Sequence, residues 1–383
     1  MRHEAIPIGW MKVPLAHICG RITTGKLDAN AMVADGEYPF FTCASESFWI
    51  NRYAFDCEAL LVSGNGANVG YVHYYNGKFN AYQRTYVLSE FSANARFLRY
   101  FLDENLKRRI RIEVNASNTP YITMSTLTEM SVTLPSDSKE QNDIAEALYD
   151  VDALVDGLER LIFKKRDLKQ AAMQQLLTGQ TRLPGFTADW VSRPFGELAS
   201  PSKQRVDPSR SVQPLYCVEL EHIKSGAGRL VGSGATKNTS SQKSIFESDD
   251  ILFGRLRAYL KKYWLADRSG VCSTEIWVLE VNRAFAVPSY LAQIVQLDAF
   301  IQAASSSYGT HMPRSDWNVV KRFEIFLPDL DEQTAIANAL SDMDAELAAL
   351  EQRLAKTRDL KQAMMQELLT GKTHLVAPEV AHA

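Results

Sequence analysis

Cysteine is scarce in this sequence, and its cysteines are far apart. Only five occur in 383 residues, and they form no C-x-x-C pair: Cys19, Cys43, Cys57, Cys217 and Cys272. Disulfide frameworks and zinc sites use cysteines at short, regular spacings. The spacing therefore argues against both and predicts a protein of a reducing compartment, the cytoplasm.

Long apolar runs are also missing. No stretch approaches the ~18 apolar residues that a membrane span needs. The opening MRHEAIPIGW contains no apolar segment of signal-peptide length. We therefore expect a cytoplasmic protein. The formal net charge is only −3, so the overall charge gives no indication of nucleic-acid binding.

Motifs for catalysis, nucleotides or metals are incomplete. The tripeptide GKT at 371–373 resembles the end of a phosphate loop, but Gln366 stands where that loop needs its first glycine. The segment NTPY at 118–121 resembles the Asn-Pro-Pro-Tyr loop of adenine amino-methyltransferases but departs from it at the second position. The seven histidines do not cluster with cysteines or carboxylates at ligand spacing. We predict no catalytic residue, metal or cofactor in this chain.

The sequence contains an internal repeat. Residues 140–183 and 332–375 align without a gap, and 26 of the 44 positions are identical, including RDLKQA and LLTG. A repeat of this kind indicates two copies of one structural element.

Both copies have the periodicity of a long helix with one apolar stripe. Apolar residues recur in alternating steps of four and three, a pattern typical of helices that pair. The predicted pairing residues are Ile144, Leu148, Val151, Val155, Leu158 and Ile162, and then Ile336, Leu340, Met343, Leu347, Leu350 and Leu354. Each helix is predicted to begin after a proline (Pro135, Pro328) and to end at a glycine (Gly179, Gly371). About 40 residues make a rod of ~60 Å.

The segments before the two helices share an order of elements. Residues 1–131 and 184–324 each begin with a segment that contains a tryptophan, Trp10 in the first and Trp190 in the second. Strand-like runs follow: ALLVSGN, NVGYVHYY and QRTYVLSE, and then PLYCVEL, DILFGRL and EIWVLEV. A single helical stretch comes next, predicted at 94–110 and at 289–303, before a polar loop and a last strand (SVTLP, FEIFLP). This order predicts two α+β globular domains.

Charge and aromatic residues follow the same boundaries. The net charge is +1 for 1–134, −2 for 135–183, +3 for 184–327 and −5 for 328–383. Of the 38 aromatic residues, only Tyr149 and Phe163 lie on the predicted rods. The globular domains are therefore the better candidates for contacting a polyanion, and the rods for binding proteins.

The two junctions SVTLPSDSKEQNDIA and FEIFLPDLDEQTAIA, each followed by RDLKQA and LLTG, resemble the specificity subunits of Type I restriction-modification systems. The resemblance implies an α+β protein with target-recognition domains at 1–134 and 184–327. Each would be followed by a repeat helix, at 135–183 and 328–383, and the helices would pair as an antiparallel coiled coil.

The same resemblance implies a non-catalytic subunit that reads a bipartite, asymmetric site on double-stranded DNA in a phage-defence system. Two methyltransferase (modification) subunits and the restriction/translocase subunits would bind it, and S-adenosylmethionine, ATP and Mg²⁺ would belong to those partners. A coiled-coil adapter that joins proteins without reading DNA remains the alternative, and a self-sufficient enzyme is a third.

Candidate DNA-binding residues are polar or basic side chains on predicted loops, because bases are read by Arg, Lys, Asn or Gln in a groove. In the first domain they are Lys26, Asn65, Asn68, Arg84, Lys107, Arg108, Arg109, Arg111, Asn115 and Asn118. In the second they are Arg255, Arg257, Tyr259, Lys261, Lys262, Ser307, Tyr308, His311 and Arg314. The glycines beside Asn65 also fit a plain turn between strands, and 107–111 also fits a helix end that favours cations. Solvated surface is the alternative for each of the others.

Overall fold

The structure is a computed structural model that describes residues 6–113, 121–210, 213, 215–236, 241–305 and 313–375. The chain divides into two structural units. Unit 1 comprises 1–159 and 352–383, and unit 2 comprises 160–351. Each unit therefore contains one globular domain and about half of each long helix. Among the described residues, no helix is long and apolar enough to cross a membrane.

The described residues of the first globular domain and the first long helix form eight strands and four helices. The strands are β1 (Trp10–Pro14), β2 (Cys19–Thr24), β3 (Tyr38–Phe41), β4 (Phe48–Ile50), β5 (Phe55–Ser63), β6 (Val72–Ala81), β7 (Thr85–Phe91) and β8 (Ser131–Pro135). The helices are α1 (Leu15–Ile18), α2 (Ala95–Glu113), α3 (Met124–Thr128) and α4 (Ser138–Leu176).

The second globular domain and the second long helix contain eleven described strands and five described helices. The strands are β9 (Val191–Pro194), β10 (Ala199–Pro201), β11 (Arg205–Val206), β12 (Tyr216–Val218), β13 (Gly234–Ala235), β14 (Lys243–Phe246), β15 (Ile251–Gly254), β16 (Tyr263–Leu265), β17 (Gly270–Ser273), β18 (Ile276–Val281) and β19 (Glu324–Leu327). The helices are α5 (Phe195–Leu198), α6 (Pro288–Ile294), α7 (Asp298–Ala304), α8 (Trp317–Val320) and α9 (Leu330–Leu368).

The main sheets of the two units share four strands in the same order. In unit 1 the strand order is β2-β7-β5-β6-β3-β4, and in unit 2 a four-stranded sheet has the order β10-β18-β15-β16. Strands β2, β7, β5 and β6 thus correspond to β10, β18, β15 and β16. The last five residues of β5 and all of β15 are buried, because their alternating side chains face a cluster on each side of the sheet. Unit 2 adds a five-stranded sheet in the order β11-β14-β17-β12-β13.

A two-stranded ribbon precedes each long helix. Strand β1 pairs antiparallel with β8, and β9 pairs antiparallel with β19, so the tryptophan-led segment returns to the strand before the helix. Both ribbons bring the chain to a helix start where an aspartate caps free backbone amides. The Asp137 carboxylate accepts a hydrogen bond from the backbone amide of Lys139. The Asp329 carboxylate accepts one from the backbone amide of Glu332.

The predicted long helices are confirmed. Helices α4 and α9 contain 39 residues each, which corresponds to about 58 Å. Gly179 and Gly371, beyond their ends, have φ angles of +72° and +68°. Glycine is favoured there because it adopts this left-handed conformation without the steric penalty of a Cβ. Each glycine also packs on the opening tryptophan of its unit, Gly179 on Trp190 and Gly371 on Trp10.

The predicted strands and the first predicted short helix are also confirmed, with shifted ends, but the prediction of a single helix at 289–303 is wrong. That segment forms α6 and α7, with Leu297 in an extended conformation between them. The Gln296 side chain turns back to the Ala292 carbonyl, and Asp298 starts the second helix and pairs with Lys261. Tertiary contacts at this break override the helical periodicity.

The cores explain how the long helices are held. In unit 1, the first turns of α4 (Ile144, Leu148) and the last turns of α9 (Met365, Leu368) are buried in one cluster with α2 and the sheet. In unit 2, the first turns of α9 are buried in the corresponding cluster, and the last turns of α4 are half-buried against it. A second cluster in unit 2 lies between its two larger sheets.

Candidate nucleic-acid interface

Two ion pairs and one contact between a carboxylate and a histidine join α4 to α9 and to the segment after α9 in unit 1. Glu140 pairs with His374 at 2.7 Å, Asp152 with Lys361 at 2.6 Å, and Glu159 with Arg358 at 2.5 Å. Residue numbers rise along one helix as they fall along the other, so these portions of the two helices are antiparallel.

The same three positions form ion pairs in unit 2. Glu332 pairs with Arg182 at 2.5 Å, Asp344 with Lys169 at 2.6 Å, and Glu351 with Arg166 at 2.5 Å. Each partner stands 192 positions from its counterpart in unit 1, the offset of the sequence repeat. Five of the six repeated positions carry identical residues, and only Arg182 differs from its counterpart, His374. The ion pairs are thus part of the repeat itself.

The predicted helix-pairing residues differ in burial along each helix. Those in the first turns are buried in the globular cores: Ile144, Leu148, Ile336 and Leu340. In the middle, Leu158 and Ile162 are buried and the others are half-buried: Val151, Val155, Met343, Leu347, Leu350 and Leu354. The first turns of each helix therefore belong to a domain core as well as to the apolar stripe.

Four loops of unit 1 converge at one end of its main sheet. The Gly64 amide donates to the Arg84 carbonyl at 2.9 Å, and the Gln83 amide donates to the Leu27 carbonyl at 2.8 Å. The Asn68 side chain donates to the Cys43 carbonyl at 3.2 Å. These bonds bring together the segments around residues 26, 43, 66 and 84.

Glycine is required at position 64 by this convergence. A Cβ there would lie 2.3 Å from the Arg84 carbonyl oxygen. The absence of a side chain at this glycine thus permits a close backbone approach to a neighbouring loop of the same domain. Lys26, Asn68 and Arg84 are exposed around it, and Asn65 is half-buried.

The end of α2 lies beside the same loops. Gly70, at the end of the glycine-rich loop 64–70 between β5 and β6, packs against Ile110 and Leu106 of α2. This contact brings the basic last turns of α2 next to the loop cluster. There the side chains of Lys107, Arg108 and Arg111 are exposed, and Arg109 is half-buried and partnered.

In unit 2 the loop between β15 and β16 takes the place of the glycine-rich loop between β5 and β6. A short 3-10 turn, Ala258–Leu260, stands at its tip. Arg257 before the turn and Lys261 after it have left-handed φ angles of +54° and +50°. Such strain in non-glycine residues clusters at functional sites. In both units a β-bridge ties this loop to the polar loop that follows the helical region, Asn65 to Tyr121 and Leu256 to Arg314.

Only some of the predicted residues in unit 2 have side chains available to a ligand. Arg314 forms two hydrogen bonds with Glu275, at 2.8 and 2.9 Å, and these hold the pKa of the Glu275 carboxyl below its usual value. Lys261 pairs with Asp298, and Lys262 donates to the Leu220 carbonyl.

Arg255 lies 5.7 Å from the centre of the Trp277 ring. Arg257 and Tyr259, by contrast, are exposed and have no side-chain partner among the described residues. Among the described residues of the loop, these two side chains are therefore the best placed to contact a ligand. The other predicted residues lie outside the described part of the chain: Asn115, Asn118, Ser307, Tyr308 and His311.

Sequence reasoning missed Tyr121 and the repeated charges. The Tyr121 side chain is 62% exposed beside Asn65 in the loop cluster. The ion pairs between the long helices had a signal in the sequence, since five of their six charged positions are identical in the two repeats. The apolar stripe by itself does not indicate these charged contacts.

The described cysteines form no disulfide with one another. The described His, Cys, Asp and Glu residues include no group of three that could hold a metal ion. All five cysteines are free thiols, and burial raises the pKa of Cys217 to about 11 and that of Cys19 to about 12. The features that stand out are instead two loop clusters, presented by the same type of sheet and bearing different side chains.

These features define a protein with two equivalent loop clusters on one repeated scaffold. The family model described as the Type I restriction modification DNA specificity domain matches residues 7–163 and 222–357. The chain therefore belongs to this family, and its role is DNA sequence specificity rather than catalysis.

Individual relatives agree with this assignment. The chain is 28% identical over 405 aligned positions to the Type I restriction enzyme EcoDI specificity subunit of Escherichia coli, covering 96% of this chain and 89% of that protein. A crystal structure of a Type I restriction-modification S subunit from M. genitalium has a TM-score of 0.62 at 17% identity, over 96% of this chain and 97% of that one. A structure from a study of complex assembly in the Type I system has a TM-score of 0.52 at 14% identity, over 97% and 100%. These structures share the fold.

Proposed function

We propose that this chain reads a bipartite, asymmetric site on double-stranded DNA, one half with each unit. The observation that carries the proposal is the pair of equivalent loop clusters. Both stand at the same end of the same sheet arrangement, but one presents Asn68 and Arg84 and the other Arg257 and Tyr259. A protein that recognises two different half-sites needs equivalent loops that carry different side chains. The side chains that contact base edges determine the sequence preference.

The long helices set the distance between the half-sites in this proposal. We infer that α4 and α9 pair along their length as an antiparallel coiled coil. The antiparallel ion pairs within each unit and the half-buried apolar stripe support this inference. The number of unread base pairs between the half-sites then follows from the length of the rods.

The helices also carry the partner subunits in this proposal. Several apolar side chains on α4 and α9 are exposed, which is typical of a protein-binding surface: Leu154, Leu161, Phe163, Leu168 and Leu360. We propose that two methyltransferase subunits bind there and that restriction/translocase subunits join the complex through them, in the cytoplasm, as a defence against phage. S-adenosylmethionine, ATP and Mg²⁺ are then bound by those subunits.

The test is to map methylated adenines with the chain assembled with the modification subunits of its own system. The wild-type complex should methylate a two-part motif with a fixed spacer. Arg257→Ala with Tyr259→Ala should relax one half of the motif and Arg84→Ala the other, each by about 10- to 100-fold, because a good base contact is worth ~1–3 kcal/mol of discrimination.

Arg268→Ala serves as the control, since this exposed arginine pairs with Asp267 at the opposite end of β16. It should leave the motif unchanged. Methylation without a two-part motif in the wild type would refute the proposal.

A further inference from the structure

Glu351, near the middle of α9, is contacted by three cations. Arg166 of α4 lies 2.5 Å from its carboxylate and Lys224 lies 3.2 Å away, and Arg229 also donates to it. Burial alone would raise the pKa of this carboxyl, but the hydrogen bonds from Arg166 and Lys224 outweigh burial and lower it. The Glu351 side chain is 22% exposed. One carboxylate thus holds together two elements of unit 2, α4 and the loop 224–229.

The equivalent glutamate of unit 1 lacks the two additional contacts. Glu159 occupies the matching repeat position and pairs with Arg358, the counterpart of Arg166, at 2.5 Å. No cation from the globular domain joins this pair among the described residues of unit 1. The contacts of Lys224 and Arg229 with Glu351 are therefore a specific addition to the repeated helix contact.

The loop 224–229 is tied at its other side to the loop with the exposed recognition residues. The Gly226 amide donates to the Lys261 carbonyl at 2.9 Å, and Lys261 ends the 3-10 turn that presents Tyr259. Gly228 has a φ of +59° and packs so closely on Tyr263 that a Cβ would lie 2.7 Å from its ring. The loop thus touches both α9 and the base of the recognition turn.

One side of this loop lines a cavity. The cavity has a volume of about 670 Å³, and its walls include Lys169, Met173 and Leu347 of the long helices and Tyr263 of the sheet. Because this space is open, the charged contacts on Glu351 hold the loop in place there. A single exposed ion pair contributes little, but several cations on one carboxylate form a network that contributes more.

We propose that Glu351 is a positioning residue for DNA recognition by unit 2. It holds the loop 224–229, and through it the turn with Arg257 and Tyr259, at a fixed place relative to the portions of α4 and α9 in the same unit. This inference rests on the proposed function. Without the carboxylate, Lys224, Arg229 and Arg166 repel one another, the loop moves away from α9, and the recognition turn loses its support.

The test compares Glu351→Gln with Glu159→Gln in the complex with the modification subunits. Binding is measured on duplexes altered in one half-site at a time, with the unit 2 half-site identified from the effect of Arg257→Ala with Tyr259→Ala. E351Q should lower discrimination at that half-site by about tenfold, a loss of ~1.4 kcal/mol, and leave the other half-site within about twofold. It should also accept spacers one base pair longer or shorter. E159Q should change neither property.

A second variant separates the loop from the helix contact. Lys224→Met with Arg229→Met leaves Arg166 and Glu351 in place and should reproduce the effect of E351Q on the same half-site, and circular dichroism checks that each variant is folded. If the double variant reads DNA as the wild type does, or if E351Q affects both half-sites equally, the positioning role is refuted. A wild-type complex without a two-part motif would instead refute the proposed function.

Discussion

Leucines buried in the first turns of the two long helices should contribute more to stability than exposed leucines of the same helices. Leu148 and Leu340 occupy equivalent repeat positions, are fully buried and belong to the cores of unit 1 and unit 2. Replacing either with alanine removes three buried carbon atoms, each worth ~0.8 kcal/mol on transfer, and leaves a cavity. Together these effects should cost ~3–5 kcal/mol.

Urea unfolding followed by circular dichroism measures the effect. With an m-value of about 3 kcal/mol/M, a loss of ~3 kcal/mol lowers the midpoint of the affected transition by ~1 M. The repeat supplies a matched control, because Leu168 and Leu360 are also equivalent to each other but are exposed. Alanine at either should change stability by less than ~0.5 kcal/mol. Equal losses in all four variants would show that burial in the domain cores does not determine what these leucines contribute to stability.

Burial raises the pKa of Asp103 to about 6 from 3.8, so the folded state binds a proton more readily than the unfolded chain and stability falls as pH rises through about 6. Asp103→Asn should therefore gain stability relative to the wild type between pH 4.5 and pH 8 in chemical denaturation, and a constant difference would contradict this assignment. Gly371→Ala should cost ~1 kcal/mol in thermal unfolding because φ is +68°; no change in melting temperature would mean that the turn relaxes. Leu158→Asp should place an unpaired charge in a buried position and lower the melting temperature by several degrees, whereas Leu154→Asp, at an exposed position, should not. Arg314→Ala should raise the pKa of the Glu275 carboxyl, measured by NMR titration, because its main partner is lost; an unchanged value would show that Arg314 does not set it.

The elements that sequence patterns predicted well are those governed by local rules. Helices α4 and α9 have continuous periodicity, an aspartate at the start and a glycine beyond the end, and all of these features lie within the helix or one turn of it. The last strands β8 and β19 were equally clear, since each stands directly before a helix start.

The features that the sequence could not reveal depend on residues far apart in the chain. The break between α6 and α7 involves Lys261, 37 positions before its partner Asp298. The strands β11 and β13 have only two residues each, and their existence depends on pairing with distant strands rather than on their own pattern. Whether an arginine such as Arg314 faces DNA or a glutamate of its own domain is likewise settled by long-range geometry.

The repeated charges between the helices have an evolutionary consequence. Because the acidic and basic partners recur at matching positions, a gene segment encoding either globular domain can be exchanged for another while both helices keep their complementary residues. The contact of Lys224 and Arg229 with Glu351 is the exception, since two of its members belong to the exchanged segment. A replacement second domain must therefore contain its own basic residues that pair with Glu351, or it must contact the helix through other residues.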